Sequence, residues 1–122
     1  MRDIEHRTQC ACVRWFRLQY PQFATLLFAI PNGGARNAVT GARLKAEGVV
    51  AGAADLFLAV PGGGYHGLFI EMKTENGTQS TAQKEFQAEV TRAGYRYEVV
   101  RSFDGFIETI NSYNPINQTV IR

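Results

Sequence analysis

The sequence predicts a mixed α/β domain, with one sheet covered by helices. Two observations carry this reading. Short apolar runs bounded by proline and glycine alternate with longer segments of helical character. Two of the apolar runs flank Pro61-Gly62-Gly63-Gly64, which is the signature of a β-hairpin. The resulting order is helix, strand, helix, hairpin, helix, strand, helix.

Taken in order, residues 3–19 read as a helix with Asp3 as its N-cap, and Pro21 ends or follows it. Leu26 to Ile30 is a short apolar run before Pro31-Asn32-Gly33-Gly34, the pattern of a buried strand followed by a turn. Residues 37–47 suit a second helix that Gly48 caps, although Gly41 weakens its middle. Residues 55–60 and 67–73 are the two hairpin strands. Ser80-Thr81-Ala82-Gln83 is a capping box that opens a helix to about residue 93, and Gly94 stops it. Residues 95–100 form another strand, and Ser102 caps a last helix through about Tyr113. The polar tail from about Asn114 is expected to be loose.

Bulk properties narrow the class. The 122 residues suit one domain over 1–122, and 45% hydrophobic with 20% charged residues is a globular composition. No apolar run reaches the roughly 18 residues of a membrane span. The charged start, Met1-Arg2-Asp3-Ile4-Glu5, has no apolar stretch behind it, so no signal peptide is expected. Cys10 and Cys12 stand too close for a disulfide framework and lack Cys-x-x-Cys spacing, which points to a reducing cytoplasm and against zinc. Gly62 to Gly64 is no phosphate loop, because no Gly-Lys-Ser/Thr follows. The net charge is only +2, but ten of the thirteen basic residues are arginine, whose planar fork suits phosphate. That is compatible with a nucleic-acid partner without requiring one.

The chemistry concentrates on the hairpin. Side chains alternate along a strand, so Glu71 and Lys73 share one face while Leu68, Ile70 and Met72 take the other. A turn centred near Gly63 sets Asp55 across from Glu71. Two carboxylates so close repel unless a cation offsets them, and magnesium takes one or two carboxylates together with water and substrate phosphate. Lys73 would then reach the attacking water or the scissile phosphate. A cross-strand salt bridge at a hairpin edge gives the same Glu-x-Lys spacing, but here the acids start and end buried strands, where sites are usually placed.

These residues carry a resemblance. Ala53-Ala54-Asp55 followed by Ile70-Glu71-Met72-Lys73 resembles the PD-(D/E)xK nuclease signature. More narrowly, Ile30-Pro31-Asn32-Gly33-Gly34, Gly48-Val49-Val50-Ala51-Gly52, Asp55-Leu56 and Glu71-Met72-Lys73, followed by Ser80 and Gln83, resemble the stand-alone type of the virus-type replication-repair nuclease (VRR-NUC) family. With Glu5, the resemblance covers nearly the whole chain. One departure is Ala54, where the family usually has proline; that proline is a backbone device, so the chemistry should survive its loss.

The resemblance implies a restriction-endonuclease-like core and a Mg²⁺- or Mn²⁺-dependent phosphodiesterase in a bacterial or phage-infected cytoplasm. Asp55, Glu71 and the Met72 backbone carbonyl are its implied metal ligands. Glu5 on the first helix would assist, and Gln83 would join the active centre. The residues themselves leave two of these roles open. Glu5 shares a stripe with Gln9, Cys12 and Phe16, which turns it inward, but a first-turn glutamate is also favoured by the helix dipole alone. Gln9 could hydrogen-bond a water at the site or simply line the helix. Gln83 closes the capping box, and both roles can coexist.

Asn32, Gly33 and Gly34 form a turn whose amides could approach phosphate, and Arg36, Arg43 and Lys45 follow it. This segment is expected to contact the DNA backbone; an ordinary solvated helix face would look similar. Arg14 and Arg17 read as surface residues, Trp15 and Phe16 as core or interface, and Gly48 and Gly52 as turn and close-packing positions. Stand-alone relatives imply a homodimer directed at branched DNA such as four-way (Holliday) junctions. The competing readings are a sequence-specific restriction-like endonuclease and a non-enzymatic DNA-binding module on a nuclease fold. The first needs a base-reading element for which the chain has no room, and the second usually loses a carboxylate or the lysine.

Overall fold

The computed structural model describes residues 2–31 and 38–115. Helix α1 (Arg2–Gln19) is followed by a 3₁₀ segment, Pro21–Leu26, then β1 (Leu27–Ala29), α2 (Ala38–Ala46), β2 (Leu56–Leu58), β3 (Leu68–Met72), α3 (Thr81–Arg92), β4 (Arg96–Val100) and α4 (Phe103–Tyr113). The 3₁₀ segment is an addition to the sequence reading. Pro21 begins it with a preset φ, and Arg17 ties it back to α1 by donating from Nε to the Ala24 carbonyl at 3.0 Å. Other boundaries follow local chemistry. Gly48 takes φ +106 after α2, Ser80 and Gln83 form the full capping box of α3, Gly94 takes φ +98 after α3, and the Ser102 hydroxyl accepts from the Gly105 amide.

The four strands form one mixed sheet in chain order. β1, β2 and β3 are antiparallel, and β4 lies parallel to β3 with α3 as the crossover. Leu56 faces Ile70 and Leu58 faces Leu68, so the hairpin is centred on Gly63, as the sequence spacing predicts. Gly62 bridges Tyr65 across the tip, and Gly63 and Gly64 adopt φ +57 and +88.

Alternation divides the sheet into two faces. Leu56, Leu58, Leu68, Ile70, Met72 and Val100 join Cys12 and Phe16 of α1 and Phe106, Ile110 and Tyr113 of α4 in the buried apolar core. The Tyr113 hydroxyl donates to the Val60 carbonyl and locks the end of α4 to the hairpin. The opposite face carries a run of rings, with Phe57 4.4 Å from Phe69, and Phe69 edge-on to Phe86 of α3 at 5.3 Å between centroids. No described helix is long and apolar enough to cross a membrane.

Two expectations change. The run Leu26 to Ile30 is not a buried strand: β1 is the sheet's edge, only Leu27 of its three residues is buried, and Phe28 is 44% exposed. An apolar run cannot distinguish an edge from a centre, because that depends on which strand pairs outside it. The tail does not loosen at Asn114, which caps α4 with φ +58, and Pro115 is buried. The rest of the tail lies outside the described residues.

Substitution at the two kinds of position should differ sharply. Phe106→Ala, at a fully buried site, is expected to cost about 3–5 kcal/mol in urea unfolding, and Phe28→Ala at the exposed edge less than about 1 kcal/mol.

Candidate active site

Asp55 immediately precedes β2. Its amide donates to the Ile70 carbonyl at 3.0 Å, one residue out of step with the ladder that pairs Leu56 with Ile70, and its carboxylate lies close enough to Glu71 to raise the cost of ionising it. Asp55 Oδ2 accepts from the Met72 amide at 2.7 Å. Glu71 is 2% exposed. Its Oε1 accepts from the Tyr97 hydroxyl at 2.8 Å and its Oε2 from Gln83 Nε2 at 2.7 Å. Lys73 extends the parallel pairing, its amide donating to the Val100 carbonyl at 3.0 Å, and its ammonium stabilises the ionised forms of both acids.

Gln83 closes the capping box and also reaches Glu71. Its Oε1 accepts from the Ser80 amide at 2.8 Å while its own amide donates to Ser80 Oγ at 3.1 Å. With the carbonyl end used in the cap, the NH₂ end is aimed at Glu71. Gly52 makes the approach possible. It adopts φ +84, and a Cβ there would fall 2.5 Å from the backbone of Ala82. The segment ahead of Asp55 therefore lies directly against the first turn of α3.

Glu5 is half-buried on α1 and, with Asp3, His6, Gln9, Asp55 and Met72, lines a cleft of about 600 Å³. A second cleft of about 400 Å³ holds Lys73 and Arg101, and Glu5 and Met72 line both. The inward reading of Glu5 thus describes its position better than a solvated first turn. Arg101 Nη1 donates to the carbonyls of Thr74, Glu75 and Gly77, which shapes the loop after Lys73. Of the expected DNA contacts, Asn32, Gly33, Gly34 and Arg36 lie outside the described residues. Arg43 and Lys45 are exposed on the last turn of α2 and line neither cleft.

Sequence reasoning missed Tyr97 and Gln79. Tyr97 pairs with Phe69 in the parallel register, two residues from the level of Glu71 and on the same face. Only the placement of β4 beside β3 reveals this. Gln79 Nε2 donates to the Tyr97 oxygen at 3.4 Å and to Gln87 Oε1 at 3.0 Å.

The site carries excess negative charge. Burial holds the Asp55 carboxyl above its usual range and Glu5 adds to this, against the Met72 hydrogen bond and Lys73. Burial likewise raises Glu71, reinforced by Asp55 and Glu5, against the Tyr97 hydrogen bond and Lys73. Among the described residues, no three His, Cys, Asp or Glu side chains converge into a closed cage for an ion. Two neighbouring carboxylates, Asp55 and Glu71, with a backbone carbonyl at Met72 fit a hard divalent cation that keeps part of its water. Each Glu71 oxygen uses one lone pair in its hydrogen bond and retains another.

A mixed sheet with two neighbouring acids, and a lysine two residues after the second, is an arrangement suited to phosphodiester chemistry. The family model for the VRR-NUC domain matches residues 1–104, so the chain belongs to the VRR-NUC family and carries a nuclease domain. A solved structure described as a VRR_NUC domain protein is similar over 90% of this chain and 87% of its own, with 29% identity and a TM-score of 0.79. No curated protein matches the chain.

The charge cluster has a stability consequence. A raised carboxyl pKa in the folded state means that folding favours the proton. This contribution is full below the ordinary value of 3.8 for aspartate and is lost as pH rises through the folded value. With a chelator present, Asp55→Asn is therefore expected to raise the melting temperature at neutral pH, the gain shrinking as the pH approaches 3.8. Calorimetric melts across pH check it; a uniform gain at all pH values would contradict the charge explanation.

Proposed function

We propose that the chain is a Mg²⁺- or Mn²⁺-dependent endonuclease that hydrolyses phosphodiester bonds in branched DNA such as four-way junctions, working as a homodimer. The observation that carries the reading is the Asp55 carboxylate, bonded to the Met72 amide, beside the buried Glu71, with Lys73 two residues beyond it. A divalent cation, when bound, supplies Lewis-acid stabilisation of the scissile phosphate and a more acidic water. Asp55, Glu71 and the Met72 carbonyl would hold it. Lys73 would orient the attacking water or balance charge that builds on the phosphate. Glu5, on the wall shared by both clefts, adds a third carboxylate to their field. Asn32, Gly33, Gly34, Arg36, Arg43 and Lys45 remain the proposed DNA-backbone contacts.

Among the described residues the surface is built from a sheet and its covering helices, which suits reading the shape and deformability of branched DNA rather than base edges. A homodimer fits paired cuts on opposite strands, because two such cuts need two sites related by a two-fold axis.

The test uses labelled four-way junction, flap and linear duplex, with Mg²⁺, with Mn²⁺ and with a chelator. Symmetric nicks in the junction are expected with either metal and none with the chelator. No cleavage of any substrate would leave a binding module, and cutting of linear duplex at one sequence would leave a restriction-like enzyme. Lys73→Ala is expected to lower cleavage by about a hundred- to thousand-fold while junction binding persists, read by gel shift.

A further inference from the structure

We propose that Tyr97, held by Gln79, is a positioning residue that aims the Glu71 carboxylate at the cation site; this rests on the metal-dependent reading above. The direction of the hydrogen bonds carries it. A tyrosine hydroxyl has one proton to give. Because Gln79 Nε2 donates to the Tyr97 oxygen at 3.4 Å, the Tyr97 proton is free to go to Glu71 Oε1 at 2.8 Å. The Gln79 amide is itself fixed by donating to Gln87 Oε1 at 3.0 Å. On the other oxygen, Gln83 is aimed by the capping box. Both clamps reach Glu71 from β4 and α3, while Asp55 approaches from β2 on the other side of β3.

Both donors are neutral. They satisfy the hydrogen bonding of the carboxylate without cancelling its charge, and among the described residues Glu71 makes no salt bridge. A buried acid serving the fold alone would be better paired with an arginine. Glu71 is instead held by two neutral donors, as a ligand oriented by an outer shell should be.

Mn²⁺ titration of the whole chain by calorimetry tests this, with chelator-treated melts alongside. Tyr97→Phe keeps the ring and is expected to weaken Mn²⁺ binding about tenfold. The Mn²⁺ concentration for half-maximal junction cleavage should rise in parallel. Gln79→Ala should weaken binding less, and adding it to Tyr97→Phe should bring no further loss, because it acts through the same hydroxyl. Tyr97→Phe binding Mn²⁺ like the wild type would overturn the proposal, as would a full additional loss in the double variant. Should Tyr97→Phe fail to fold, Gln79→Ala decides alone: weaker Mn²⁺ binding in a folded protein supports the role, and unchanged binding overturns it. A wild type that binds no Mn²⁺ would overturn the metal reading itself, whereas wild-type binding with an unaffected Tyr97→Phe would overturn the positioning role only.

Discussion

Burying an ionised carboxylate in the central part of a sheet costs several kcal/mol unless its oxygens are met by donors, and Glu71 imposes that cost on this fold. Much of the neighbouring structure answers it. The first turn of α3 must come close enough for Gln83 to reach Oε2, and Gly52 is the residue whose missing Cβ permits the approach. β4 must pair parallel to β3 so that Tyr97 rises on the same face as Glu71. The crossover through α3 meets both requirements at once, because it links the strand that carries the acid to the strand that carries the tyrosine.

The two sheet faces divide the work. One is aliphatic and anchors α1 and α4 through Cys12, Phe16, Phe106, Ile110 and Tyr113. That anchorage sets Glu5 on the wall of the two clefts, since Glu5 lies on the same helical stripe as the buried Cys12 and Phe16. The other face carries aromatic rings beside the acid, and these limit water around Glu71 and Tyr97. Burial raises the Tyr97 hydroxyl, reinforced by Glu71, so it stays a proton donor at neutral pH.

Charge at the site works against the stability of the cation-free protein. Glu5 raises the cost of ionising Asp55, Asp55 and Glu5 raise that of Glu71, and Lys73 offsets only part of it. Such a cluster gives up stability, the trade commonly found where function requires like charges together, and the proposed cation would offset it.

The sequence by itself determined the elements and the central acids. Caps at Ser80 and Ser102, stops at Gly48 and Gly94, and the hairpin about Gly63 are local, so a few adjacent residues encode them. Once a tight hairpin is recognised, its register and the alternation of strands bring Asp55, Glu71 and Lys73 into one neighbourhood, although Asp55 leaves the ladder by one residue. The motif pieces from Ile30 to Gln83 carried the family as well. Tertiary structure alone decided what depends on strand order. It put β1 at the edge, which exposes Phe28, and it buried Pro115. It also brought Tyr97 to Glu71 across 26 positions of sequence, and through Tyr97 recruited Gln79. No local pattern encodes such a pairing, because a parallel neighbour is chosen by the crossover and the packing of α3. The two acids and the lysine could be placed as neighbours from the sequence, while the groups that hold the buried Glu71 become visible only in the assembled sheet.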